Sequence, residues 1–185
     1  MFLLRVVVGI TGASGVLYGI RLLEVLQEKA EIHLIISETG KEVIDLETGI
    51  EIEKIKNLAS FFYENDDLSA RISSGSFEYE GEIVVPCSMK TLAHIANGYS
   101  DNLITRVADV CLKEGRKLIL VPRETPLSLI HLENMLKAKK AGAVIMPASP
   151  PFYPLPKTVV DVVDIMVGRI LDVLGVENDL YRRWK

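Results

Sequence analysis

The chain has 185 residues, 49% of them apolar, and sets 21 lysines and arginines against 25 acidic residues for a formal net charge of −4 and a pI near 5.5. That balance excludes a nucleic-acid surface, which needs a basic stripe able to neutralise several phosphates at once; here the basic residues are scattered. No apolar run is long enough for a membrane span, since the opening Met1 to Leu4 is cut short by Arg5.

Two cysteines, Cys87 and Cys111, stand at no metal-ligand spacing and no signal-peptide pattern precedes them, which fits a reducing cytoplasm better than a disulfide framework. The length suits one domain, residues 1–185, with a sizeable core. A positive mean hydropathy in so small a protein points to a homo-oligomer that buries surface between its subunits.

In chain order, a β-branched run from Leu3 to Ile10 meets the turn Thr11-Gly12-Ala13-Ser14-Gly15, and apolar residues then recur at Val16, Ile20 and Leu23. This predicts a strand, a tight turn and a helix from Ser14 to Gln27. Strands are predicted again at Ile32 to Ile36, Glu82 to Val85, Lys117 to Val121 and Ala143 to Met146. Helices are predicted at Glu38 to Thr48, Ile52 to Ala59, Ser88 to Ala96, Asn102 to Glu114, Ser128 to Ala141 and Thr158 to Leu174. Glu64 to Gly81, with its Ser73-Ser74-Gly75-Ser76 cluster, reads as a mobile loop. Strands without polar alternation, separated by helices, are covered on both faces, so the fold class is α/β with a doubly wound parallel sheet in a three-layer sandwich.

Ligands of such a sheet bind beyond the C-terminal strand ends. Those ends carry Gly12 to Gly15, Ser37 to Gly40, Pro86 to Thr91, Pro122 to Pro126, and Pro147 to Pro156 with Phe152 and Tyr153. Hydroxyls at four of the five suit a phosphate, and a glycine turn that opens a helix aims bare N–H groups at an anion. The spacing G-x-x-G-x-x-G is neither the dinucleotide motif nor the P-loop, so the turn alone says little. Arg169 shares helical spacing with Val162, Met166 and Val173, which places it on an apolar stripe where an unpaired guanidinium costs several kcal/mol. Its partner is Asp172, one turn on, or a ligand phosphate; the ligand is favoured because Arg123 also follows a strand directly. Arg106 and Lys113, two turns apart on one helix, suit solvated surface as readily as a site.

Five strings resemble the flavin prenyltransferases of the UbiX type: Gly9-Ile10-Thr11-Gly12-Ala13-Ser14-Gly15, Pro86-Cys87-Ser88-Met89-Lys90-Thr91-Leu92-Ala93, Val121-Pro122-Arg123-Glu124-Thr125-Pro126-Leu127, His131-Leu132-Glu133-Asn134-Met135 and Pro147-Ala148-Ser149-Pro150-Pro151-Phe152-Tyr153. The resemblance covers nearly the whole chain. It implies a flavodoxin-like fold that binds FMN without covalent attachment and joins a dimethylallyl group, taken from dimethylallyl monophosphate, to the reduced flavin. It also implies a homododecamer with sites between subunits, and a UbiD-type decarboxylase of ubiquinone or aromatic-acid metabolism as recipient of the product. Older names for such proteins call them decarboxylases. By position, FMN contacts would come from Gly12, Ala13, Ser14, Ser37, Ser88, Met89, Lys90, Thr91 and Arg123, and the prenyl phosphate would be held by Arg106, Lys113, Arg123, Tyr153 and Arg169. Glu124 matches the catalytic carboxylate and Trp184 an aromatic that closes the site.

Those residue types suit the chemistry. Breaking the allylic carbon–oxygen bond loads negative charge on the phosphate, so fixed Arg, Lys and Tyr donors stabilise the transition state more than the ground state. The flavin, Tyr153 and Trp184 offer the allyl cation electron-rich faces, and Glu124 or the released phosphate is a candidate base. Asp66-Asp67-Leu68-Ser69-Ala70-Arg71 lacks the second acid of a DDxxD motif, which predicts catalysis without a metal. His131 and Glu133 read as structural, His33 and His94 have no metal-binding company, and Cys87 reads as a small packed residue. Two other readings stay open, a flavin-dependent cysteine decarboxylase and a non-catalytic flavin carrier; an NAD oxidoreductase fits less well.

Overall fold

The computed structural model describes residues 4–184. Six strands, β1 (Leu4–Ile10), β2 (Ala30–Ile36), β3 (Phe61–Glu64), β4 (Gly81–Cys87), β5 (Lys117–Pro122) and β6 (Val144–Ile145), form one sheet in the order β3-β2-β1-β4-β5-β6, with every neighbouring pair parallel. The helices are α1 (Val16–Leu26), α2 (Glu38–Thr48), α3 (Ile52–Lys56), α4 (Met89–Ala96), α5 (Leu103–Glu114), α6 (Leu129–Ala141) and α7 (Val159–Leu174).

Successive strand residues feed opposite faces of the sheet. Val6, Val8, Ile10, Leu34 and Val121 pack with α1, α2, α3 and α7 on one side. Val7, Ile35, Val84 and Leu120 pack with α4, α5 and α6 on the other. The three-layer sandwich expected from the apolar runs follows directly. No helix among the described residues is long and apolar enough to cross a membrane.

One strand escapes the sequence pattern. β3 is four residues long at the sheet edge and Phe61 and Glu64 face solvent, so it has neither the length nor the continuous apolar run of a central strand. The preceding helix stops at Lys56 rather than Ala59, which leaves the chain free to turn into it. β3 also changes the topology. The five predicted strands alone would give the order 2-1-3-4-5 of flavodoxin, whereas the sixth gives the 3-2-1-4-5-6 order of dinucleotide-binding sheets.

The stretch from Glu64 to Gly81, expected to be mobile, is irregular but anchored. Ile72 and Tyr79 are core residues, Arg116 donates to Phe77 O and Gly75 O, and the guanidiniums of Arg5 and Arg71 both lie over the Phe77 ring. Buried His33 belongs to the same assembly, with Nδ1 3.0 Å from the Tyr63 hydroxyl and Nε2 2.9 Å from Glu31. Burial pushes its pKa down, and its role is structural.

Strand order reverses between β1 and β4, so the helices that follow them leave for opposite faces and open a crevice at this edge. Thr11 closes its floor. The buried hydroxyl donates to Pro86 O at 2.7 Å and accepts from Ser88 N at 2.8 Å, tying the two strand ends together.

Candidate active site

Beyond that floor, Gly15 takes a left-handed φ of 98°, a conformation open to glycine, and turns the chain into α1. Gly12 lies so close to Thr39 that a β-carbon would overlap the threonine side chain, which brings the first and second strand ends into contact. Ser37 caps α2, accepting from Gly40 N at 3.1 Å. Ser88 caps α4, accepting from Thr91 N at 3.2 Å and lying 3.0 Å from the Thr91 hydroxyl. Gly12, Ala13, Ser14, Ser37, Ser88, Met89, Lys90 and Thr91 are thereby gathered at the N-terminal ends of α1, α2 and α4, on one rim of the sheet.

Arg123 leaves β5 and reaches this rim from the other side. Its stem lies against Gly15 and its charge offsets the effect of burial on the Tyr18 phenol, which burial raises. Arg123 Nε is buried and has no hydrogen-bond partner, and the guanidinium enters none of the ion pairs formed among the described residues. A buried charged donor left unmade costs more than an ordinary hydrogen bond gains. With the capped helix ends opposite it, the donor set fits the phosphate of FMN.

Glu47 was not anticipated. Its carboxylate accepts from Gly15 N at 3.1 and 2.9 Å and from Val16 N at 3.2 Å. The first-turn amides of α1, expected to meet a ligand phosphate, are therefore taken by the chain's own acid. The sequence carries two signals for it. Glu47 falls on the same face of α2 as the buried Gly40 and Ile44, and it is an acid in the last turn of a helix, where the dipole disfavours it. Glu124 follows Arg123 in an exposed loop, its carboxylate accepting the Thr125 amide at 2.9 Å.

A second cluster lies on the flank of α7. Arg169 is not on the buried stripe, as expected from its spacing; that stripe runs through Val163, Met166, Val167, Ile170 and Leu174, and the Arg169 side chain beside it is 50% exposed. Its Nη1 lies 3.4 Å from both Asp172 Oδ2 and the Tyr181 hydroxyl. The partner found within the chain is thus Asp172, the alternative the sequence left open. Tyr153 stands edge-on to Trp184, ring centroids 5.1 Å apart at 87°, and Tyr153, Arg182, Arg183 and Trp184 line a cavity of about 220 Å³. The Tyr153 phenol is close enough to Arg169 and Arg183 to act on their charge.

Arg106 and Lys113 join neither cluster. α5 lies on the face of the sheet opposite α7. There Arg106 donates to Asp109 and to Ser73 O, while Lys113 pairs with Glu114 just before β5 begins, at the N-terminal rim. Seven residues of helix separate them by about 10 Å. No hydrogen bond or ion pair among the described residues links the Arg123 rim to the α7 flank, so one chain presents the expected site in separate parts.

His131 serves the α6 capping box, its Nδ1 accepting from Ser128 N at 3.2 Å and its own amide bonding Ser128 Oγ. His94 pairs with Asp101 at 3.2 Å. Cys87 is buried, and burial raises its thiol pKa far from the thiolate range.

The model of the Flavoprotein family matches residues 3–176. The flavin prenyltransferase UbiX of Methanocaldococcus jannaschii is 55% identical over 181 residues, 98% of each chain. The crystal structure of AnUbiX (PadA1) in complex with FMN and dimethylallyl pyrophosphate superposes with a TM-score of 0.97 at 46% identity, over 98% of this chain and 97% of that one. A dodecameric FMN-dependent UbiX-like decarboxylase from Escherichia coli O157:H7 does so with a TM-score of 0.96 at 50% identity, over 98% of this chain and all of the other. Likeness of that extent, over a crevice whose hydroxyls and buried arginine suit a flavin phosphate, shows that the chain belongs to the flavoproteins and, within them, to the UbiX flavin prenyltransferases.

Proposed function

We propose that this protein transfers the dimethylallyl group of dimethylallyl monophosphate to reduced FMN, in the cytoplasm, as a homododecamer whose product serves a UbiD-type decarboxylase. The observation that carries the reading is the buried, unpartnered Nε of Arg123 at the topological switch point. Relatives at about half identity are named flavin prenyltransferases, and one solved relative holds both FMN and an allylic phosphate ester.

Reduced FMN, when bound, supplies the ring atoms that accept the five-carbon unit. Gly12, Ala13, Ser14, Ser37, Ser88, Met89, Lys90 and Thr91 hold it at the rim, with Arg123 on its phosphate side. Arg123, Arg169 and Tyr153 donate to the ester phosphate as the allylic carbon–oxygen bond stretches, each charge-assisted contact contributing about 1.5–3 kcal/mol where charge develops. Tyr153 and Trp184 keep water from the carbocation face. Glu124, exposed and free to move, takes up or returns the proton.

The parts come together between subunits. The α7 flank of one chain, with Tyr153, Arg169 and Trp184, meets the rim of a neighbour, and Arg106 and Lys113 come from a neighbouring chain as well. The dodecameric relative supports this arrangement. No metal takes part, so a chelator leaves the rate unchanged; a rate lost to chelation and restored by a divalent ion would refute that clause.

The test is anaerobic incubation with reduced FMN and dimethylallyl monophosphate, followed by mass measurement of the extracted flavin. A flavin heavier by one five-carbon unit supports transfer. An unchanged flavin that stays tightly bound indicates a carrier, and release of carbon dioxide from an aromatic acid by this chain alone indicates a decarboxylase.

A further inference from the structure

The segment that follows α7 turns back along the helix, and one side chain gathers it there. Asp172 accepts hydrogen bonds from the Tyr181 hydroxyl at 2.6 Å, from Arg183 Nη1 at 3.0 Å and Nη2 at 2.8 Å, and from Asn178 Nδ2 at 3.0 Å. The Arg183 pairing above all, then Tyr181 and Asn178, hold its carboxyl down to about 2, so it is an anion at any working pH. The Tyr181 ring is buried against the bare backbone of Gly168, where a β-carbon would stand 2.5 Å from it. Directly after Arg183 comes Trp184, edge-on to Tyr153.

Arg169 is held differently. Both of its contacts, to Asp172 and to the Tyr181 hydroxyl, are 3.4 Å long, the outer limit of a hydrogen bond. Arg183 binds the same carboxylate through two nitrogens, the stronger bidentate form. If Arg169 leaves, Asp172 keeps Arg183, Tyr181 and Asn178 and no charge is orphaned.

We propose that Asp172 is a positioning residue, a latch that fixes the C-terminal segment so that Trp184 lies against Tyr153 and that keeps Arg169 loosely parked until an ester phosphate draws it away. Its ligand rests on the prenyl-transfer reading, but its geometry does not. Trp184 is the single tryptophan of the chain, so the anisotropy of its emission in the FMN-loaded, full-length protein reports the latch without turnover.

Asp172→Ala is expected to lower that anisotropy towards the value of an untethered tail and to raise KM for dimethylallyl monophosphate about tenfold, with FMN affinity unchanged. Arg183→Gln, on an exposed side chain remote from the core, is expected to do the same and decides the matter if Asp172→Ala does not fold. Parental anisotropy in the variants overturns the latch, and so does a fall in anisotropy with KM unmoved. Should the parent chain make no prenylated flavin, the drop in anisotropy still supports the latch. Turnover lost with anisotropy intact overturns the latch and leaves prenyl transfer standing.

Discussion

Arg123 and Glu82 both bury polar side-chain atoms that meet no hydrogen-bond partner, and their chemistry separates them. Arg123 borders an open rim where an anion can complete it, and its place directly after a strand was legible in the sequence. Arg123→Ala is expected to loosen FMN ten- to a hundredfold, roughly the loss of one or two charge-assisted bonds, measured by quenching of flavin fluorescence. Unchanged affinity would remove Arg123 from the site. Glu82 is fully buried in β4 with no way out. Tyr79, Cys87 and Cys111 surround it, their own ionisation suppressed chiefly by burial, while the nearby cation Arg116 stacks on the Tyr79 ring instead. Burial holds the Glu82 carboxyl well above the usual carboxylate range. A raised folded-state pKa means that its contribution to stability is present in full at low pH and is lost as pH climbs from the unfolded value through the folded one, at about 1.4 kcal/mol per unit. Glu82→Gln is therefore expected to raise the urea midpoint at about pH 8 and to leave it nearly unchanged at about pH 4. Identical pH profiles for the two proteins would show that Glu82 is not the source. Arg169 shows the limit of reading residues from spacing: a period of 3.6 places it one step from the buried stripe, and the burial that made it look like a ligand group is absent.

At the scale of elements, the central strands and all the long helices were legible because each buries a continuous apolar run or one clear stripe. β3 was not, because an edge strand of four residues buries too little to leave a pattern. Glu47 was missed because its partner is the backbone of α1, brought alongside α2 by packing rather than by sequence. Contacts of that kind have no local spelling. Thr11 is another, joining the ends of β1 and β4 through one hydroxyl. Thr11→Val keeps the shape and deletes both bonds, leaving the Ser88 amide and the Pro86 carbonyl unpaired, and is expected to cost about 1–3 kcal/mol in denaturant unfolding. A variant as stable as the parent would mean that water replaces the hydroxyl.

For the whole molecule, the division of the site decides what can be tested. If Arg123 of one subunit works with Arg169 of another, Arg123→Ala and Arg169→Ala proteins should each be inactive alone and partly active once dissociated and reassembled together. Activity that never returns on mixing would place both arginines in one chain's site. α6 offers the surface on which such assembly would rest, since Leu129, Ile130, Leu132 and Leu136 are all exposed on it, too much apolar area for a solitary helix face.

Because all six strands run the same way, the two rims of the sheet are chemically unlike. At the far rim the cations are already engaged with main-chain oxygens: Lys117 with Val173 O and Leu174 O, Lys29 with Glu177 O, Arg5 with Glu78 O, and Arg116 with Gly75 O and Phe77 O. A polyanion brushing past that side meets donors that are spoken for, on a body that is negative overall. The chain can therefore keep a guanidinium in waiting for one small monoester in a cell crowded with RNA, and discriminate by where its positive charge is left free rather than by how much of it there is.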